Sequence, residues 1–292
     1  MSEYITVIKP KNSVFDIDWK EIWNYRELFF FLVWRDVKVK YKQTALGALW
    51  AIIVPFTQMV IFTVLFGKVA KLPTDGLDPQ IFYYSGLILW TYFATAVTFS
   101  GNSMVQNRNL LTKIYFPRLI MPTAPAIAAF VDFFIAFVIQ IIMMIYFGVL
   151  FSWTIIFLPF FILIAFGTAV GAGLVFTSLN VKYRDIGFAL PFIVQIWMYA
   201  SVIVPYSKLP QSWGYFKYLY GLNPMGGAIE GFRWCMLHLN METTIMKNGI
   251  LEKVPVEFPW LMISISFISM LLILLFGLWY FRKMEDTFAD IV

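Results

Sequence analysis

Charge is scarce in this sequence. Asp, Glu, Lys and Arg make up 13% of its 292 residues, about half the ~25% typical of a soluble domain. With 60% of residues hydrophobic, too little polar material remains to cover a water-facing surface, so lipid must cover much of it. Cysteine and histidine are rarer still, with one of each. The lone Cys235 excludes an internal disulfide framework and a cysteine-based zinc site. The lone His238 excludes a histidine metal cluster and has no obvious nucleophile partner. No GxxxxGK[ST] phosphate loop is present; the nearest fragment is Gly67-Lys68, so ATP hydrolysis by that route is excluded. Asp16-Ile-Asp18 has the spacing of metal-dependent sugar transfer but stands isolated. Residues 1–19 hold no apolar run of the kind a cleaved secretory signal requires. No enzyme is expected on this chain.

What the sequence does contain is apolar runs of roughly 20 residues, the length that crosses a bilayer. Six are expected, at about 46–67, 81–101, 119–148, 154–180, 186–204 and 259–281. They contain no Lys or Arg and a single acid, Asp132. Pro122 and Pro125 predict irregular or re-entrant backbone where the third run begins. Asp132 has no basic partner within the spans and is expected to face a wet cavity or the bundle interior. Segments on the side of the termini carry 15 Lys and Arg against 7 on the other side. The positive-inside rule therefore puts both termini in the cytoplasm. That asymmetry explains the net charge of +5 without nucleic acid as a partner. Gly167, Gly171 and Gly173 form a small-residue face suited to close packing, within the chain or against another subunit.

Three segments outside the spans are informative. In residues 1–45, Trp19, Ile22, Trp23, Phe30, Val33, Trp34 and Val37 recur at helical spacing, with Lys20, Glu21, Glu27, Arg35 and Lys38 mostly opposite. This predicts an amphipathic helix in the headgroup plane. Its basic residues would each contribute about 1 kcal/mol at an anionic leaflet, as an anchor alone or as a guide for a charged headgroup. Between spans 2 and 3, Leu110, Leu111, Ile114 and Tyr115 make an apolar edge among Arg108, Lys113 and Arg118. Such an edge predicts a docking partner. Segment 205–258 is amphipathic and aromatic, and Asn223-Pro224 reads as a helix start. Two short helices dipping into the bilayer are expected there, with Glu230 and Arg233 on one face as an ion pair or a gate contact.

Trp34-Arg-Asp-Val-Lys-Val-Lys-Tyr-Lys-Gln-Thr-Ala-Leu-Gly-Ala-Leu-Trp50 resembles the entry segment of ABC-2 type permeases for O-antigen, capsule and teichoic acid. Asn109 to Arg118, Asn180 to Asp185 and Leu222 to Trp234 are similar in order and spacing, so the likeness runs along nearly the whole chain. The resemblance implies an all-α integral membrane fold: 1–45 a cytoplasmic segment with an interface helix, 46–292 one six-span domain with re-entrant helices between spans 5 and 6. It implies a homodimer joined to two ATPase subunits, which bind the ATP and Mg; no cofactor falls on this chain. The cargo it implies is an undecaprenyl-linked glycan leaving the bacterial inner membrane, as in lipopolysaccharide biosynthesis. Site roles also follow from it. Arg108, Leu110, Leu111, Lys113, Ile114 and Tyr115 would couple to the ATPase. Trp19, Trp23, Trp34, Arg35 and Lys38 would meet headgroups, and Trp213, Tyr215, Asn223, Pro224, Glu230 and Arg233 would form the extracytoplasmic gate. Aromatics are 20% of the chain. Trp90, Tyr92 and Phe93 are expected to line a pore on which sugar rings slide, unless they are interfacial belt residues.

Three other readings compete. An ABC-2 exporter of a drug, peptide or other lipid keeps the partner and changes the cargo. A self-sufficient secondary transporter or flippase would need an ion-coupling site beyond Asp132. A membrane glycosyltransferase would need a better acidic cluster than Asp16 and Asp18.

Overall fold

The computed structural model describes residues 19–42, 47–203, 205–209, 211–247 and 250–291, with backbone alone described at 211–214, 216, 243–247, 250–252 and 286–291. Asp16 and Asp18 therefore lie outside the described residues. The chain begins with α1 (Trp19–Asn24) and α2 (Arg26–Lys42). They are one rod with a tightened turn: the Tyr25 N–H is shared between the Glu21 and Ile22 carbonyls, 3.2 Å from each. The first span is α3 (Trp50–Phe62) with a wide-turn extension over Thr63–Val69. Then come α4 (Pro79–Gln106), which starts on proline, and the single turn α5 (Arg108–Leu111). Proline suits a first helical position because no partner is lost there.

The third run contains α6 (Ile120–Ala128) and α7 (Phe130–Tyr146), joined at Ala129. Its start is regular helix, against the expectation of irregular backbone. Pro122 falls in the first turn, where its missing N–H costs nothing. Side chains on α4 serve the carbonyls around Pro125: the Ser100 hydroxyl donates to Pro122 at 2.6 Å and the Tyr92 hydroxyl to Ala126 at 3.3 Å. Next are α8 (Leu158–Lys182), entered through a tight turn at Trp153–Phe157, and α9 (Ile186–Val202). A tight-turned stretch over Gln211–Leu222 leads to α10 (Pro224–Leu237), and α11 (Trp260–Ile291) closes the chain.

Among the described residues, five helical segments are long and apolar enough to cross a membrane: Gly47–Val69, Pro79–Gln106, Ile120–Tyr146, Trp153–Lys182 and Trp260–Glu285. The sixth expected crossing, α9, has 17 residues. At 1.5 Å per residue it extends about 25 Å, short of a hydrocarbon core of about 30 Å. Helices build the membrane body, as expected for an all-α chain, and the described residues add one hairpin to it. β1 (Glu242–Lys247) pairs antiparallel with β2 (Ile250–Pro255), Glu242 opposite Pro255 and Lys247 opposite Ile250.

α4 is the hub, with 78% of its apolar window buried, against 28% for Gly47–Val69. α8 packs against both α4 and α11. The glycine face makes this possible. A Cβ on Gly171 would lie 2.7 Å from the Leu274 Cα, and one on Gly277 would lie 2.3 Å from the Gly171 carbonyl oxygen. Gly173 instead faces Ser100 on α4. The small-residue face thus serves packing within the chain. Overpacking typically costs about 1–3 kcal/mol, occasionally more, and here the obstructing atoms are backbone. Gly171→Leu is expected to abolish the monodisperse peak of detergent-extracted protein in size-exclusion chromatography. A wild-type profile would show that α8 and α11 can separate freely.

Candidate functional site

The loop after α4 is built around Asn107. Its amide donates to the Ser103 carbonyl at 2.8 Å, and its Oδ1 accepts from Arg35 Nη1 at 2.7 Å. α5 then turns Leu110 and Leu111 inward, half-buried against the core, and Phe116 is buried. Ile114 and Tyr115 alone of the expected apolar edge are exposed, at 50% and 62%. The edge is therefore narrower than the sequence implied. Two leucines that look free on paper anchor the loop. Arg108 and Lys113 are exposed beside the remaining pair. The Tyr115 hydroxyl donates to Glu21 Oε1 at 3.2 Å. Tyr115–Glu21 and Arg35–Asn107 thus fasten this loop to the α1–α2 rod at two points.

The rod has two apolar faces, not one. Ile22, Leu28, Phe29 and Val33 pack on the core around buried Leu32, while Trp19, Trp23, Phe30, Phe31 and Trp34 point outward. The expected face mixed members of both. Lys38 is exposed, and Arg35 also binds the Asp36 carboxylate at 2.7 Å. Beside the rod, a cavity of 370 Å³ opens between α2, α4, α6 and α7. Lys40 and the Tyr41 hydroxyl both bond the buried Asp132 carboxylate there. The spans themselves offer Asp132 no basic partner; the fold supplies one from 92 residues earlier, outside any span.

At the opposite end, Asn223 caps α10 as expected, accepting from the Met225 N–H at 3.2 Å, with Pro224 next and buried. The Asn223 side chain also accepts from Trp197 Nε1 and donates to the Ser201 hydroxyl, both at 2.8 Å, tying α10 to α9. Glu230 and Arg233 form an ion pair at 2.7 Å, with Arg233 fully buried. The guanidinium lies over the Phe82 ring at 3.7 Å and reaches the Ser85 hydroxyl at 3.4 Å, both on α4. Sequence reasoning missed these partners and also Asp75. That carboxylate is buried, accepts from the Ser207 hydroxyl at 2.5 Å, and has a backbone carbonyl that takes the Glu242 N–H of β1 at 2.8 Å. Its signal was weak: one acid in an Asp75-Gly76 turn. Burial pushes the Glu230 carboxyl up to about 7, against the pull of Arg233. Burial also raises the Asp75 carboxyl, opposed by Ser207 and Arg233. Tyr215 is 90% exposed and has no part in this cluster. The side chain of Trp213 lies outside the described residues.

Trp90, Tyr92 and Phe93 are at most 2% exposed. Trp90 and Phe93 pack edge-on against Trp197, and Tyr92 stacks on Phe130 at 4.5 Å. They are core residues of the protomer and line no open face, which corrects the expectation of a pore. α4 is surrounded by other helices, so even its aromatic side is consumed in packing. The rings that do face outward include Phe56 on α3 and Phe188, Phe192 and Tyr199 on α9.

The chain is similar in sequence to three curated proteins. The O-antigen export system permease protein RfbA of Myxococcus xanthus is 26% identical over 215 residues, covering 73% of this chain and 82% of the relative. Two proteins of the same name from Klebsiella pneumoniae are 25% and 26% identical, each over 88% of this chain and 92% of the relative. The family model described as ABC-2 type transporter matches residues 27–237, from the α1–α2 rod through the end of α10. A membrane-spanning body with its fastened outer loop and no nucleotide motif of its own thus falls under a model covering most of its length, and this chain belongs to the ABC-2 type transporter family.

Proposed function

We propose that this chain is the permease subunit of an exporter that moves a lipid-linked polysaccharide of the O-antigen type out of the bacterial inner membrane. In this reading two copies assemble with two ATPase subunits, which bind ATP and Mg; this chain hydrolyses nothing. The observation that carries it is the likeness, over 73% to 88% of this chain, to three permeases named for O-antigen export. The physical layout supports it. Ile114 and Tyr115 protrude from a loop fastened to the α1–α2 rod. An ATPase that grips them moves the rod as well. Trp19, Trp23 and Trp34 lie in the headgroup plane on the cytoplasmic side, with both termini there. Arg35 and Lys38 meet the anionic part of the carrier near the cavity that holds Lys40.

α9 is the sixth crossing in this reading, its short length made up by the turns at its two ends. α3 and α9 present adjoining apolar faces, linked by Phe62 stacked on Tyr199 at 6.3 Å. A second copy covers these faces and encloses the passage, lined by Phe56, Phe188, Phe192 and Tyr199 where the glycan slides. α10 closes the far end as the gate. Dimeric chain with its ATPase partner in liposomes is expected to transfer a polyprenyl-diphosphate-linked glycan only when ATP is supplied. Uphill transport by this chain alone, without nucleotide, overturns the proposal. Transfer of a drug or peptide but not of glycan would leave the family and replace the cargo.

A further inference from the structure

A second cavity, of 700 Å³, lies at the α10 end of the bundle, where α8 and α11 begin. Its floor is Phe161 and Cys235, both buried, and Trp234, which packs edge-on against Phe258 at 4.8 Å. Its rims are Trp153 and Trp260, 75% and 74% exposed. These two tryptophans open the first turns of two membrane-crossing segments. Tryptophan is enriched at the headgroup level, so the mouth of the groove sits at the edge of the hydrocarbon. From there the groove runs along α11 to Ile268. Eight residues at 1.5 Å each make that about 12 Å, close to the depth of one leaflet of a core about 30 Å thick. Bilayer therefore covers the groove, on the side of α10.

Its chemistry selects the chain of a lipid over the headgroup. None of the residues lining it is charged. The Thr154 hydroxyl is already used on the Cys235 carbonyl at 2.8 Å, which leaves Ser264 as the other hydroxyl. A polyprenyl diphosphate would call for cations at the mouth, as phosphates generally do. A helix from another copy, about 10–12 Å across with its side chains, would not enter a slot walled by α8, α10 and α11. We propose that one acyl chain of a phospholipid in the leaflet on the α10 side occupies this groove and braces α10 through Trp234 and Cys235. The proposal does not depend on the cargo of the exporter.

The test uses the full chain in phosphatidylethanolamine and phosphatidylglycerol vesicles with a trace of phosphatidylethanolamine bearing a diazirine in its acyl chain. After illumination, the label is expected on 153–161 and 260–268 in excess of the lipid-facing stretch at Leu272, Leu275 and Phe276. Ser264→Trp, which fills an exposed position in the slot, should lose that excess, and Ser264→Ala should keep it. Polyprenyl phosphate added to the same vesicles as a competitor should leave that excess unchanged. This competition on the wild type stands even if Ser264→Trp fails to fold. Equal labelling of all lipid-facing segments overturns the proposal. So does competition by polyprenyl phosphate, or protein–protein cross-linking between copies through Ser264.

Discussion

Arg233→Ala should cost about 3–5 kcal/mol of folding stability, the usual effect of removing one partner from a buried ion pair. Arg233 is fully buried, its partner Glu230 nearly so, and neither can turn to water when the other is removed. A methionine at 233 combined with leucine at 230 should recover much of the loss, because an apolar pair has no charge to desolvate. The network is also incompletely satisfied: Arg233 Nη2 and Asp75 Oδ2 have no hydrogen-bond partner among the described residues. Its stability therefore depends on pH. The Glu230 carboxyl moves from 4.5 to about 7 on folding. An acid raised in this way adds stability that is complete below 4.5 and is lost as pH rises through about 7. Asp75, raised by burial as well, adds in the same direction. Thermal melts of the purified chain should fall across that window, and those of Glu230→Gln should fall less. Melts of Arg233→Ala that match wild type would show the pair to be dispensable.

The other large effect is functional. Ile114→Ala combined with Tyr115→Ala should abolish ATP-driven export while the chain still folds and inserts. Both side chains point away from the core, so truncating them leaves no cavity. An aromatic anchor at an interface is typically worth about 2 kcal/mol or more, roughly thirtyfold in affinity. The double variant should therefore no longer co-purify with its ATPase. Tyr115→Phe separates the two roles of the ring: it keeps the docking surface and removes only the hydroxyl that donates to Glu21. It should bind the ATPase normally and transport less, if the tie to the rod transmits the stroke. Normal export by the double variant would place the coupling contact elsewhere.

Where the sequence could be read, the features were local or cumulative. Apolar length marked the crossings because a bilayer imposes one thickness on every segment. Asn223-Pro224 marked the start of α10 because capping involves only the adjacent turn. Gly167 and Gly171 announced close packing, though not its partner. The hairpin has a local signal too: Asn248-Gly249 is a strong two-residue turn sequence between β-branched stretches.

Composition and order along the chain were enough to mark a lipid-embedded helical body, to give an expected orientation from the charge count and to show that no phosphate-loop motif is present. Each of these is a sum over many residues or a pattern within one turn. The tertiary structure alone decided which aromatics are core and which face outward, because the same Trp or Phe serves either purpose at equal hydrophobicity. It alone also gave Asp132 its partner Lys40 and brought Asp75, Ser85 and Glu230 around Arg233. Isolated charges in apolar surroundings must find partners, but which partners they find depends on how helices far apart in sequence come together.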